Sequence, residues 1–232
     1  MFQDIFKILS DAELVGYVLQ GLGNTLVVTV FAALIGLVLG FVVAVVKIAA
    51  EHNKYMKIPA AICNIYTTVV RGTPVSLQLF LMVFAVIVVP GFEPYAAILT
   101  FGINSGAYVS ENIRAGIMSV DKGQMEAGRA LGLTWLQTMV KIVLPQAFKN
   151  IVPAIGNEMI ALLKETSIIS WIGATPGDLT FDLNAASKVI WRSIPNYLAS
   201  GIVVGICYLI IVYLMVLLVK FVERRLRQSD KR

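Results

Sequence analysis

The fold class that this sequence predicts is an all-α integral membrane protein with five transmembrane helices, its N-terminus outside and its C-terminus inside. Three observations lead there. Of the 232 residues, 58% are hydrophobic and only 14% are charged, and mean hydropathy is +0.81; a soluble domain is about 25% charged. Apolar tracts that meet the ~20 residues of a bilayer crossing recur along the chain. Lysine and arginine fall on one side of those tracts: with the N-terminus outside, fourteen lie in cytoplasmic segments, three in external segments and two, Arg71 and Lys164, within spans. That asymmetry follows the positive-inside rule, so the net charge of +5 reports topology and not a nucleic-acid partner.

Residues 1–20 mix Asp4, Lys7, Asp11 and Glu13 with Phe2, Ile5, Phe6, Ile8 and Leu9, the pattern of a short amphipathic helix lying in the membrane interface. No basic-then-apolar leader is evident at the N-terminus, so the first span is expected to serve as the targeting signal. That span covers about 22–46 and leads to a loop with Lys47, Lys54 and Lys57, where His52, the single histidine, reads as a solvated residue. The tract 58–89 is too long for one straight crossing and too short for two. Arg71-Gly72-Thr73-Pro74 in its middle marks it as one broken span. Pro90-Gly91-Phe92-Glu93-Pro94 turns the chain into a third span at 95–118; a fourth covers 148–171, a polar external loop 172–196, and the fifth 197–221. A membrane domain over 21–222 thus lies between the interfacial segment and a basic cytoplasmic tail at 223–232. Cys63 and Cys207 sit in apolar tracts as small hydrophobes. Neither a catalytic constellation nor a metal site is expected.

Polar groups inside a membrane need a partner or a cavity. Arg71-Gly72-Thr73-Pro74 frees backbone groups at a helix break beside a cation, which suits a carboxylate ligand; a plain proline kink with Arg71 paired to a neighbouring carboxylate fits the same residues. In the third span Asn104, Ala107, Tyr108 and Glu111 share one face by their i, i+3, i+4, i+7 spacing, either as helix-to-helix glue or as a site lining. Glu158, thirteen residues past Pro145, falls near mid-depth at ~1.5 Å per residue. Its partner there is a ligand ammonium, Arg71 or Lys164.

The most polar helical stretch lies between the third and fourth spans. Glu126-Ala127-Gly128-Arg129-Ala130-Leu131-Gly132 is followed after nine residues by Ile142-Val143-Leu144-Pro145. A helix at about 121–136 is expected, with Glu126 in its first turn and Gly132 at its close, and Pro145 opening the next helix. This pattern resembles the EAA loop of ABC-importer permeases, with Gly128 in place of the second alanine. Arg71-Gly72-Thr73-Pro74, the run 104–111, Asp121-Lys122-Gly123-Gln124 and Leu163-Lys164-Glu165-Thr166-Ser167 resemble, more narrowly, the polar-amino-acid permeases of the histidine/glutamine/arginine group. The resemblance covers about 21–221.

The resemblance implies the type I ABC importer permease fold in a bacterial cytoplasmic (inner) membrane. It implies a loop in which Glu126, Ala127, Gly128, Arg129, Leu131 and Gly132 dock on an ATP-binding subunit, present in two copies. It also implies a second permease subunit, identical or homologous, and an external solute-binding protein. The cargo it implies is a polar L-amino acid. The polar residues of the spans offer a site for it, Arg71, Gly72 and Thr73 for the carboxylate and Glu158 for the ammonium, with Asn104 and Tyr108 lining it near mid-depth, which suits alternating access. The chain has no G-x-x-x-x-G-K-[ST] phosphate loop, so no cofactor is expected on it, and ATP and Mg belong to the partner ATPase. The rival readings are a secondary carrier or channel working without ATP, using Arg71, Glu158, Lys164 and Glu165 as relays, and a sensor subunit that transports nothing.

Overall fold

The computed structural model describes residues 1–228; the last part of the expected basic tail, Ser229, Asp230, Lys231 and Arg232, lies outside the described residues. Among the described residues every regular element is helical. Helix α1 (Phe2–Ser10) exposes Phe2, Phe6 and Leu9 and buries Ile8. The amphipathic segment expected over 1–20 is divided at Asp11, whose extended backbone and side chain, accepting from the Glu13 and Leu14 amides at 2.9 and 3.2 Å, start a new helix. That helix, α2 (Ala12–Ala49), has 38 residues. At ~1.5 Å per residue it is nearly twice as long as the ~30 Å hydrocarbon layer, so the expected first span is the middle of a longer rod.

The broken span is α3 (Lys57–Gly72) followed by α4 (Val75–Leu81) and a π-turn (Met82–Val86). Between its halves, at Thr73 and Pro74, the chain bends by 106°. Helix α5 (Glu93–Met118) leads to α6 (Lys122–Ala130) and α7 (Trp135–Thr138). A π-turn (Met139–Val143) joins α7 to α8 (Leu144–Glu165), with Pro145 in its first turn. By length and apolarity α2 and the 197–226 part of α10 (Tyr197–Gln228) each suffice to cross a membrane, and α3 with α4 forms a third, bent candidate. Helices α5 and α8 stay below that mark; they carry Asn104, Ser105 and Glu111, and Asn157, Glu158 and Lys164.

Helices α2 and α5 form the heart of the bundle. They approach so closely that a Cβ on Gly40 would stand 2.6 Å from Val109 and one on Gly102 would stand 2.7 Å from Ile35. Within lipid such close contact is the main source of helix association. Val28, Ala32, Phe101, Leu79, Leu162 and Ile169 fill the middle of the core. Ile8, Leu14, Val18, Leu183, Ile190 and Val203 close the bundle at the N-terminal end of α2. Ala44, Val109, Ile113, Ala147 and Ile151 close it at the other end.

The segment 172–196, read from its polarity as a loop, contains α9 (Leu183–Ser193), which packs against the N-terminal turns of α2 and against α10. Leu183, Ala186 and Ile190 are its buried stripe. Asp182, only 1% exposed, caps it by accepting from the Ala185 amide at 2.7 Å, while its Oδ2 has no hydrogen-bond partner among the described residues. Asn24 holds the approach to α9 by donating to the Asp178 and Phe181 carbonyls, and Thr25 accepts from the Leu183 amide at 3.1 Å.

Candidate functional site

Two regions gather the residues singled out in the sequence, and they lie on different elements. The first is the segment expected to dock, around α6. Asp121 caps α6 by accepting from the Gly123 amide at 2.6 Å. The helix ends on paired bonds from Leu133 to the Gly128 carbonyl and from Gly132 to the Arg129 carbonyl, and Gly132 takes a φ of +82. That left-handed closure is open to glycine at little cost. Glu126, Ala127, Arg129 and Leu131 face outward, with Leu131 80% exposed. Glu126 is the fifth residue of α6 and so falls in its second turn, beyond the free N–H groups; the first turn contains no acidic residue. The expected stabilisation of Glu126 by the helix start is therefore corrected, because the effect fades past one turn.

Gly128 points the other way. It is buried, and a Cβ there would lie 2.4 Å from Thr138 Cγ2 and 2.9 Å from its hydroxyl. This contact explains why glycine stands where the resembled pattern has alanine. Two side-chain bonds fasten this region to α8: Gln146 to Gln124 at 3.1 Å, and Asn150 to Ser119 at 2.8 Å. His52, read as a solvated loop residue, is exposed but stacks on Trp135, ring centroids 4.3 Å apart and planes 31° apart.

The second region surrounds the bend in the second span. Arg71 and Gly72 line a cavity of about 740 Å³ together with Lys47, Thr67, Glu111 and Arg114. Glu111 joins Lys47 at 2.7 Å and Arg114 at 3.1 Å, and Lys47 also donates to Thr67. These two cations thus share one carboxylate. Among the described residues no carboxylate stands within ion-pair distance of Arg71; its guanidinium lies 5.3 Å from the centre of the Tyr108 ring, a cation–π contact. The alternative that pairs Arg71 with a neighbouring carboxylate is not met among the described residues.

Thr73 is used differently. Its hydroxyl donates to the Val69 carbonyl at 2.9 Å and accepts from Gln78 at 2.8 Å, and it lines a separate cavity of about 210 Å³ with Gln78. Gln78 also donates to the Val70 carbonyl at 2.7 Å and accepts from the buried Asn104 amide at 3.0 Å. It therefore ties the free end of α3 to α5. Glu158, half-buried on α8, meets the Ser105 hydroxyl and has Glu165 as its charged neighbour; Lys164 is exposed. The structure therefore brings Arg71 to Tyr108 and Thr73 to Asn104 through Gln78, while Glu158 contacts the neighbouring Ser105 on α5. Sequence reasoning missed Lys47 and Gln78. Lys47 offered a signal, a lysine at the end of an apolar tract that needs a carboxylate; Gln78 offered none beyond a polar residue shortly after a break. No cluster of metal-ligating side chains occurs among the described residues.

Residues 36–228 match the model of a family described as binding-protein-dependent transport system inner membrane components. The chain belongs to that family. The arginine transport system permease protein ArtQ of Bacillus subtilis (strain 168) is 41% identical over 217 residues, covering 92% of this chain and 94% of that protein. The putative glutamine transport system permease protein GlnP of Rickettsia typhi (strain ATCC VR-144 / Wilmington) is 37% identical over 213 residues, covering 90% and 93%. Among solved structures, a crystal structure of an amino acid ABC transporter with histidines superposes with a TM-score of 0.83 at 35% identity, covering 94% of this chain and 98% of that one. The methionine ABC transporter MetNI in an inward-facing conformation has a TM-score of 0.75 at 21% identity, covering 93% and 99%, and shows the shared fold. The resemblance to ABC-importer permeases read from the motifs is thereby established.

Proposed function

We propose that this chain is the transmembrane subunit of an ATP-driven importer that takes a polar L-amino acid, of the basic or glutamine/glutamate type, from a solute-binding protein and releases it into the cytoplasm. The observation that carries this reading is α6: a capped nine-residue polar helix between α5 and α8 that exposes Glu126, Ala127, Arg129 and Leu131. Membership of a binding-protein-dependent transport family and the arginine and glutamine relatives support it. In this reading the chain crosses the membrane five times, with α1 and α9 outside and α6 inside, in a bacterial cytoplasmic membrane. Its domains are the interfacial 1–20, the transmembrane 21–222 with the coupling segment 121–136, and the cytoplasmic 223–232.

Two ATP-binding subunits bind ATP and Mg and press on Glu126, Ala127, Gly128, Arg129, Leu131 and Gly132. A second permease subunit, identical or homologous, completes the pathway, and access alternates as the helices rock around the substrate. Arg71 and the backbone at Gly72 receive the substrate carboxylate, since among the described residues no carboxylate pairs with Arg71. Tyr108 orients Arg71; Thr73 and Asn104 hold the bend that presents it, and Glu158 takes the ammonium. The test is uptake of arginine and of glutamine by the complete complex in liposomes, with ATP or with a non-hydrolysable analogue. Uptake is expected only with ATP, abolished by Glu126→Lys and lowered by Glu158→Gln with assembly intact. Uptake that ignores ATP would overturn the reading in favour of a carrier.

A further inference from the structure

Movement of α6 reaches α5 and α8 through the chain itself and through the Gln124–Gln146 and Ser119–Asn150 bonds. The bend that carries Arg71 lies elsewhere, at the far end of α3. Helix α3 follows α2 through the turn 50–56, and His52 in that turn stacks on Trp135, the first residue of α7. Both rings line a cavity of about 240 Å³, together with Ile48, Met125, Met139, Val143 and Arg114. Trp135 is fixed in turn: Thr134 and Gln137 form a reciprocal capping box at the start of α7, and Thr138 sits against Gly128 of α6. A path therefore runs from α6 to Thr138, along α7 to Trp135, across the ring contact to His52, and from there along the chain into α3.

We infer that the His52–Trp135 stack passes movement of the docking segment into the turn 50–56 and so into α3 and its bend, which makes His52 a positioning residue for transport. This rests on the docking role proposed above for α6. The stack leaves assembly to the buried contacts of α2 with α5 and sets the efficiency of coupling. An aromatic pair of this kind is worth about two- to twelve-fold in an equilibrium constant, which is the range of the expected loss.

The experiment measures arginine uptake and ATP hydrolysis in the same liposomes holding the complete complex. His52→Ala is expected to lower uptake per ATP hydrolysed by about two- to twelve-fold, with the complex purifying intact. His52→Phe, which keeps a ring to stack, is expected to restore the ratio. Trp135→Ala is expected to match His52→Ala, and the double variant to be no worse than the poorer single one. A normal ratio in His52→Ala overturns the inference, as does a His52→Phe variant as deficient as His52→Ala. Gly132→Asp serves as the control. If it too keeps a normal ratio, the docking role of α6 fails; if it uncouples while His52→Ala does not, only the role of the stack falls.

Discussion

A single methyl group decides how α6 sits. Gly128 is the one departure from the E-A-A pattern, and its missing Cβ is occupied by Thr138. Gly128→Ala gains about 1 kcal/mol of helix propensity, but overpacking costs about 1–3 kcal/mol, and an approach of 2.4 Å puts the loss ahead. The variant is expected to lower the thermal midpoint of the purified complex, and adding Thr138→Ala, which removes both clashing atoms, to restore it. No recovery would place the cost elsewhere. Asp182 gives the second residue-scale prediction. Burial pushes its carboxyl up to about 7, against the Ala185 amide and Lys188, which favour the charged form. The unfolded chain has an ordinary value of ~3.9, so the folded state holds the proton more tightly. Stability from this group is therefore full below about pH 4 and is lost as pH rises through about 7. Asp182→Asn keeps the cap and removes the charge. It is expected to melt higher than the parent at pH 8 and to flatten the decline between pH 5 and 8 measured by thermal denaturation; an unchanged decline would assign the pH dependence to other groups.

Among the elements, the bent second span depends most on a side chain that no motif announced. Pro74 ends α3 because it has no N–H to donate and disfavours helix at Thr73, and the carbonyls of Val70 and Thr73 then need donors. Gln78 supplies them and at the same time accepts from Asn104, which is 3% exposed. Gln78→Leu strands the Asn104 amide and the α3 carbonyls, at a cost of about 1–3 kcal/mol. The expected result is a complex that still assembles but melts lower and takes up arginine more slowly, read by thermal denaturation and liposome uptake. Unchanged values in both would mean that water or lipid replaces the glutamine. Helix α2 shows the opposite balance: hydropathy marks its membrane part, yet its first turns are recruited by α9 and α1 into an assembly outside the apolar tract.

For the whole molecule, charge distribution predicts that α6 and α1 lie on opposite sides of the membrane. Cysteines placed at Glu126 and at Phe2, in a chain without Cys63 and Cys207, are expected to react with an impermeant maleimide from the inside and the outside respectively; Glu126→Cys labelled from outside would reverse the orientation and the direction of transport. The sequence alone determined the helical class, the helix break at Thr73 and Pro74 and the family, because hydropathy, proline and the spacing of motif residues are local properties that any fold of the chain must respect. It also located Arg71, Tyr108 and Glu158, since polar residues are conspicuous in apolar tracts. Only the tertiary structure decided their company: Arg71 against Tyr108, Gln78 bound to Asn104, Lys47 paired with Glu111, and His52 against Trp135. Those pairings join residues on separate elements, and which faces meet is set by how closely glycines such as Gly40 and Gly102 let the helices approach, a matter of packing that no single segment records.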